Sequence, residues 1–270
     1  MNHSVNGHTA YAYTGGKPFD PARPTVVFIH GVLNDHSVWI LQSRWFANHG
    51  WNVLALDLPG HCRSAGAPPV SVEEGARFVL ALLDAAGIER AALVGHSFGS
   101  LIALEAAALA PQRVSHLALV GTAYPMTVSP ALLEGALADP QRAIDMVNNF
   151  SHSMMAPPPS SLGPGTWLHG SSRALMRRVL SSNRETNVFH AGFKACNDYA
   201  GGEAAMVAVR CPVLFLLGRA DQMTPPKATA RLQALAPQQP PRVVTVEAGH
   251  ALMAEAPDAV LFALRDFLTV

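Results

Sequence analysis

The amino-acid sequence predicts an α/β fold built on a parallel sheet with helices on both faces. Short runs of aliphatic and β-branched residues recur along the chain, and stretches of helical period separate most of them. Strand-helix-strand alternation of this kind is typical of a parallel sheet. Such strands are buried on both faces and are therefore apolar along their whole length. The runs occupy residues 25–31, 51–60, 91–95, 116–121, 211–218 and 242–249.

Length and charge indicate one core domain that acts on a small molecule. A chain of 270 residues is normal for a single sheet domain with an insertion. Its 19 basic residues balance 19 acidic ones and form no Lys/Arg cluster, so the electrostatic footprint of a nucleic-acid-binding protein is missing. We therefore expect no nucleic-acid partner, and a small-molecule substrate without strong charge.

Cysteine usage and the first residues predict a cytoplasmic protein. Three cysteines at unrelated spacings, Cys62, Cys196 and Cys211, argue against a disulfide framework or a zinc site. The opening MNHSVNGHTAYAY has neither a basic nor an apolar signal region, and no apolar run approaches the length of a bilayer crossing. We expect no membrane association.

The other core elements follow from local patterns. An Asn-Gly pair at 6–7, ahead of the alternating segment TAYAYT, predicts an antiparallel hairpin. Helical period predicts helices over 37–50 and 71–87. The second helix starts with a Ser-x-x-Glu capping box and ends at Gly87, which is a typical helix terminator.

The strand-helix rhythm breaks between 123 and 208. Short helical pieces there are separated by the loop APPPSSLGPG, and the segment holds six of the nine methionines. We interpret 123–208 as a helical cap over the carboxyl ends of the strands, where ligands bind in open α/β sheets. Residues 1–122 and 209–270 then form the core domain. The methionines either line an adaptable apolar pocket or only pack the cap helices together.

One serine has the position expected of a nucleophile. Ser97 in GHSFG lies where the strand run AALVG meets the helical stretch SLIALEAAALA. A sharp strand-to-helix turn needs small neighbours, which explains Gly95 and Gly99. The turn presents the hydroxyl at the helix N-terminus, whose free N–H groups favour developing negative charge. The alternative is that Ser97 only caps the helix.

An acid and a histidine follow later strands, as an activated serine requires. A serine hydroxyl needs an adjacent base, and the base needs a third group that orients it. Asp221 comes just after the run at 211–218, and His250 follows the last run. Both are expected on loops at the same sheet edge as Ser97. The alternatives are that Asp221 caps the following helix and that His250 is an ordinary loop histidine.

The tetrahedral oxyanion of such a reaction needs backbone N–H donors. Phe98 directly follows the serine and supplies the first. The segment FIHGVLNDHSVW, after an earlier strand, supplies the second, and we predict Val32 there with Leu33 as the alternative. We interpret His30 as a packing and loop-ordering residue, because one histidine base already suffices.

Together these motifs resemble the α/β-hydrolase superfamily. They are HG at 30–31, DLPGHCRS at 57–64, GHSFG at 95–99, GRADQMTP at 218–225 and AGHALMAEAP at 248–257. The resemblance implies an eight-stranded, mostly parallel sheet flanked by helices, a cap over the site, and a Ser-His-Asp mechanism without metal or cofactor. It assigns the three roles to Ser97, His250 and Asp221.

Positions at which this chain differs from members of the superfamily narrow the range of reactions that it is expected to catalyse. Relatives with aspartate at the elbow, such as dehalogenases and epoxide hydrolases, form a different covalent intermediate, and Ser97 argues against that chemistry. Carbon–carbon hydrolases often carry Trp after the catalytic histidine, where this chain has Ala251. Cys62 stands where relatives usually have glycine, and it is either a structural residue or a reactive thiol.

The sequence therefore predicts a serine hydrolase that cleaves small, largely apolar carboxylic esters, lactones or thioesters through an acyl-enzyme on Ser97. The alternatives are a cofactor-free perhydrolase or haloperoxidase, a carbon–carbon hydrolase with the same triad, and a ligand-binding protein without turnover. No metal is expected, because the twelve histidines include no H-E-x-x-H spacing. Trp39 and Trp167 are interpreted as packing residues.

Overall fold

The computed structural model describes residues 1–153, 167–236 and 240–269. The predicted loop APPPSSLGPG lies outside the described residues. The strands are β1 (Asn2–Val5), β2 (His8–Tyr13), β3 (Thr25–Ile29), β4 (Asn52–Leu56), β5 (Ala91–His96), β6 (Val114–Val120), β7 (Val213–Gly218) and β8 (Arg242–Val246). The α-helices are α1 (Ile40–Asn48), α2 (Val72–Ala85), α3 (Phe98–Leu109), α4 (Pro130–Ala138), α5 (Pro140–Ser151), α6 (Leu168–Ser182), α7 (Val188–Asp198), α8 (Gly202–Ala208), α9 (Ala230–Leu235), α10 (Leu252–Glu255) and α11 (Pro257–Leu268).

All eight strands form one sheet in the order β1-β2-β4-β3-β5-β6-β7-β8. Strands β3 to β8 pair in parallel, whereas the β1–β2 hairpin joins the edge of the sheet antiparallel to β4. The prediction of an eight-stranded, mostly parallel sheet is confirmed. Because the carboxyl ends of the parallel strands share one edge, the loops after β3, β5, β7 and β8 converge there.

The apolar strand runs divide between two cores. Alternate residues point to opposite faces of a strand, so in β3 Val27 and Ile29 join one apolar cluster, whereas Val26 and Phe28 join the other. The first cluster includes α2 and α3, and the second includes α1 and α11. Burial on both faces explains why these runs lack the alternation of a half-exposed strand.

The amino-terminal hairpin and the α2 start form as their patterns predict, with one difference. Asn6 and Gly7 both have positive φ, which is the conformation of a type I′ hairpin turn. Ser71 accepts a hydrogen bond from the Glu74 backbone N–H at 3.2 Å. The Glu74 carboxylate, however, accepts from the Val70 N–H at 3.0 Å, one residue before the N-cap. Ser71 thus satisfies one orphan N–H of the helix, and the Glu74 carboxylate satisfies the N–H that precedes the cap.

In the described residues between β6 and β7 there are five helices, α4 to α8. Helices α4 to α7 contact one another, whereas α8 packs on α3 and α9 beside the sheet. The helical character of this segment agrees with the predicted insertion, and its limits at 123–208 stay a prediction. No helix in the described part of the chain is long and apolar enough to cross a membrane.

The two tryptophans differ in burial. Trp39 is fully buried and packs against Phe28, with the ring centroids 5.2 Å apart. Trp167 is 56% exposed and therefore does not pack in the core as Trp39 does; its packing contacts lie at the surface. It lies just before α6, where its ring stacks parallel to His169 and under the Arg173 guanidinium.

Candidate active site

Ser97 occupies the turn between β5 and α3 in a strained conformation. Its φ of 52° and ψ of −120° lie outside the backbone regions that residues other than glycine usually adopt. Its hydroxyl makes no capping hydrogen bond to the helix. The interpretation of Ser97 as a mere helix cap is therefore wrong, and the strained turn holds the side chain at the wall of a cavity.

The glycines around Ser97 are required by close backbone approach. A Cβ atom on Gly95 would lie 2.5 Å from the carbonyl carbon of Gly99. A Cβ on Gly99 would lie 2.5 Å from the Ile29 carbonyl oxygen, at the end of β3. Real Cβ atoms do not approach backbone this closely, so the start of α3 packs directly on β3 and β5 because both residues lack side chains.

Asp221 and His250 meet at the carboxyl edge of the sheet. Asp221 follows β7, His250 follows β8, and the Asp221 Oδ2 lies 2.9 Å from the His250 Nδ1. Burial acts to raise the pKa of Asp221, but the charge and hydrogen bonds of His250 and Thr224 outweigh it and hold the pKa below its ordinary value. An ionised carboxylate only accepts, so the proton sits on Nδ1 and leaves the His250 Nε2 as an acceptor.

Thr224 is a member of this group that the sequence reasoning missed. Its hydroxyl donates to the Asp221 Oδ2 at 2.7 Å and lies 3.0 Å from the His250 Nδ1. The other carboxylate oxygen of Asp221 accepts the backbone N–H groups of Met223 and Thr224 at 2.9 and 2.8 Å. The Asp-x-x-Thr spacing, typical of a turn closed by an aspartate side chain, was the available signal.

The proposed oxyanion donors lie next to the serine. A Cβ on Gly31 would lie 3.1 Å from the Ser97 Cβ, so the loop after β3 packs on the elbow. Val32 lines the same cavity as Ser97, whereas the Leu33 side chain is buried in the core. The backbone N–H groups of Val32 and Phe98 donate to no other group among the described residues. The Leu33 N–H likewise donates to no group among the described residues, so the choice of Val32 with Leu33 as the alternative stays a prediction.

A cavity of about 650 Å³ joins these groups. Ser97 and His250 both line it, and no hydrogen bond links them in the described part of the chain. Catalytic hydrogen bonds often tighten only when a substrate is bound. Leu175 and Met176 of α6, Val147 of α5 and Phe193 of α7 make one wall apolar. Met176 is therefore one cap methionine that lines the cavity.

Three buried histidines hold the loops around the site. His96 donates its Nε2–H to the His250 carbonyl at 2.9 Å. His30 bonds the Gly31 carbonyl through Nδ1 at 2.8 Å and accepts the Leu58 N–H on Nε2 at 3.0 Å, which ties the loops after β3 and β4 together as predicted. Burial lowers the pKa of His96 to about 3 and that of His61 to about 4.

These lowered pKa values predict that acid weakens the fold well above the carboxylate range. In the unfolded chain, His61 and His96 become protonated below about pH 6.5. In the native state, His61 is protonated only near pH 4 and His96 only near pH 3. The free energy of unfolding should then fall on the order of 2 kcal/mol per pH unit between pH 6 and 4.5. Urea unfolding across this range measures it, and His61→Gln should remove about a third of the slope, because burial also lowers the pKa of His30 and adds a third histidine. A flat profile in the wild type contradicts the prediction.

One cluster has the composition of a metal site. The ligand atoms of Asp35, His36 and Asp57 lie within 4.8 Å of one another. The Asp57 Oδ1 accepts from the His36 Nδ1 at 2.8 Å, and the Asp35 Oδ2 accepts from the Arg178 Nη2 at 2.6 Å. A metal ion would have to displace these donors, because they already occupy the carboxylate oxygens.

Cys62 belongs to the same region and behaves as a structural residue. It has a φ of 45°, its thiol donates to the Asp35 Oδ2 at 3.4 Å, and its N–H donates to the Ser182 hydroxyl at 3.0 Å. Burial, helped by the negative charges of Asp35 and Asp57, raises the pKa of the thiol to about 12. A thiol without thiolate character is a poor nucleophile, so the structural interpretation is favoured.

Comparison with known proteins identifies related chains. A family model described as alpha/beta hydrolase fold matches residues 24–257. The chain is 42% identical over 99 residues to the dihydrolipoyllysine-residue acetyltransferase component of the acetoin cleaving system of Pseudomonas putida, covering 36% of this chain and 26% of that protein. It is 35% identical over 127 residues to lipase LipV of Mycobacterium tuberculosis, covering 46% of each. The matches thus span a quarter to a half of these curated relatives.

A solved structure extends the likeness to the whole chain. The enol-lactonase from Burkholderia xenovorans LB400 superposes with a TM-score of 0.85, covering 100% of both chains at 22% sequence identity. At this identity the superposition shows a shared fold, and the chemistry has to be argued from the site.

Proposed function

The chain belongs to the alpha/beta hydrolase family, and from that premise we propose that it is a serine hydrolase of small carboxylic esters or lactones. The observation that carries the proposal is the hydrogen-bonded Asp221–His250 pair on the same cavity as a serine held at positive φ. A nucleophile, a base and a group that orients the base are the parts that acyl transfer needs. The family relatives named as hydrolases support the reaction class.

In the proposed mechanism, Ser97 attacks the acyl carbon while the His250 Nε2 takes its proton. Asp221 keeps the other ring proton on Nδ1 and stabilises the imidazolium that forms. The N–H groups of Val32 and Phe98 hold the oxyanion. The leaving alcohol takes the proton back from His250, and a water activated by the same base then hydrolyses the acyl-enzyme. The bond between acyl carbon and leaving oxygen breaks, and the products are an acid and an alcohol.

The test is the hydrolysis of 4-nitrophenyl esters from acetate to decanoate. The release of nitrophenolate measures the rate. We expect turnover with an upper limit of acyl length set by the cavity of about 650 Å³. An organophosphate that modifies activated serines should label the peptide that contains Ser97 and stop turnover. Absence of ester turnover and labelling contradicts the proposal. Peracid formation from acetate and hydrogen peroxide without ester hydrolysis would favour the perhydrolase alternative.

Thr224 gives a second, more discriminating prediction. Thr224→Val keeps the shape of the side chain but removes the hydroxyl that lies 2.7 Å from the Asp221 Oδ2 and 3.0 Å from the His250 Nδ1. A hydrogen bond to a charged group contributes about 1.5–3 kcal/mol, so kcat should fall about 10- to 100-fold with KM little changed. Steady-state kinetics with nitrophenyl acetate measures both constants.

The matched control is Thr224→Ser, which restores the hydroxyl and should recover most of the lost kcat. Thermal melting of both variants separates a folding defect from a catalytic one. If Thr224→Val turns over at the wild-type rate, the hydroxyl has no part in orienting His250.

A further inference from the structure

One arginine side chain on the cavity wall has no role in the proposed mechanism. Arg178 lines the cavity, and apart from histidines it is the only ionisable side chain among the described lining residues. It lies on the face of α6 that also brings Leu168, Ser171 and Leu175 to the cavity. More than half of its side chain is exposed, so the guanidinium is accessible to a ligand that enters the cavity.

One edge of the Arg178 guanidinium is held by an ion pair, whereas the other edge is available for a ligand. Its Nη2 donates to the Asp35 Oδ2 at 2.6 Å, and the Asp35 carboxylate is only 2% exposed whereas the Arg178 side chain is 59% exposed. The Asp35 Oδ1 accepts both the N–H and the hydroxyl of Ser37. Within the described residues, Nε and Nη1 of Arg178 donate to no oxygen. One edge of the guanidinium is therefore anchored at Asp35, the Cys62 thiol is a further neighbour, and N–H groups of Arg178 remain for a ligand.

Two polar side chains that have no partner in the described part of the chain line the same cavity as Arg178. Asn34 directly precedes Asp35, and Ser172 lies on α6; both line the cavity. Neither side chain makes a hydrogen bond among the described residues. An amide or a hydroxyl on the wall of the same cavity can add to the hydrogen bonds that a guanidinium makes to a carboxylate, which accepts at up to four positions. The cavity is also lined by aliphatic side chains, among them Leu168, Leu175 and Met176, which suit a hydrocarbon chain.

The cavity wall extends far enough along α6 to hold an acyl chain. Leu168 and Arg178 both line it and are ten residues apart on one helix, which is about 15 Å at the α-helical rise. Val32, beside the elbow, and Asn34, beside the Arg178 anchor, lie on the same loop. Because Ser97 and Arg178 line one cavity, an ester carbon at Ser97 and a carboxylate at Arg178 can belong to one acyl group.

We infer that the substrate is an acyl compound with a terminal carboxylate, such as the half-ester of a dicarboxylic acid, and that Arg178 binds this carboxylate. The inference rests on the proposed hydrolase function and names its substrate class. Water cleaves the ester bond and yields a dicarboxylate and an alcohol, while the carboxylate on Arg178 stays unchanged. Asp35 repels such an anion, but it lies behind the guanidinium and its charge is already shared among four donors.

The experiment compares two esters of equal shape and different charge. Monoethyl adipate carries a terminal carboxylate, and ethyl 6-amino-6-oxohexanoate carries the neutral amide in its place. Hydrolysis is followed by pH-stat titration. For the wild type we expect kcat/KM to favour the anion by about tenfold or more. Arg178→Gln should lower this ratio to near one, mainly through KM for the anion.

Asp35→Asn is the control that distinguishes ligand binding by Arg178 from a purely structural role of the Arg178–Asp35 ion pair. Both variants break the Arg178–Asp35 ion pair, but Asp35→Asn keeps the cation. The anion preference should persist or increase in Asp35→Asn and disappear in Arg178→Gln. Equal ratios in the two variants overturn the inference, as does a wild type without preference for the anion. The double variant Asp35→Asn/Arg178→Gln, which leaves no unpaired buried charge, repeats the test if Arg178→Gln fails to fold.

A binding measurement keeps this inference distinct from the hydrolase proposal. Calorimetric titration of Ser97→Ala with both esters requires no turnover. Tighter binding of the half-ester, lost when Arg178→Gln is added, supports the inference even if neither ester is hydrolysed by the wild type. Equal Kd values for the two esters overturn it even if ester hydrolysis is observed.

Discussion

Ser97→Ala is expected to lower kcat for 4-nitrophenyl esters by about 10³- to 10⁶-fold, the range over which removal of a serine nucleophile acts. The alanine keeps the strained turn but has no oxygen to attack the acyl carbon. The remaining groups still bind substrate and surround the oxyanion, so a small residual rate over water is expected. Steady-state kinetics with the preferred acyl length measures the loss.

The control for this variant is Ser115→Ala. Ser115 lies near the start of β6, at the sheet edge opposite to Ser97. Its removal should leave kcat and KM within about twofold, since surface changes of this kind stay within about 0.5 kcal/mol. A wild-type rate for folded Ser97→Ala would falsify the assignment of the nucleophile, and turnover would then have to come from another group on the cavity.

Gly99→Ala should destabilise the protein by more than about 4 kcal/mol or prevent folding, although it adds a single methyl group. That methyl would lie 2.5 Å from the Ile29 oxygen and 2.6 Å from the His30 oxygen. Both are backbone atoms at the carboxyl end of β3, which is fully buried. The clash can be relieved only by moving α3 away from the sheet, and that movement displaces the serine that precedes the helix.

Gly135→Ala is the matched control for this prediction. Gly135 lies inside α4, and a Cβ there would meet the nearest atom, the Ala143 Cβ, at an ordinary 3.5 Å. Alanine is a better helix former than glycine by about 1 kcal/mol, so this variant should be as stable as the wild type or more stable. Urea unfolding of both variants gives the comparison. If Gly99→Ala unfolds at the wild-type urea concentration, the close packing of α3 on β3 is not required.

The sequence alone predicts the fold and the candidate residues because both follow from local sequence patterns. The apolar runs at β3 to β7 identify buried strands, and the order of strands and helices then requires parallel pairing. The loops after β5, β7 and β8 must reach one edge of such a sheet. This is why Ser97, Asp221 and His250 could be named together although more than 150 residues separate the first from the last.

The tertiary structure alone decides which of these residues touch and what surrounds them. Thr224 reaches the His250 ring because a turn after β7 packs beside a loop after β8. Arg178 reaches Asp35 across 143 positions, where neither neighbourhood in the sequence carries a signal for the other. The positive φ of Cys62 and the exposure of Trp167 likewise depend on how separate segments meet. Local periodicity encodes burial, but contact between distant segments depends on the packing of the whole chain.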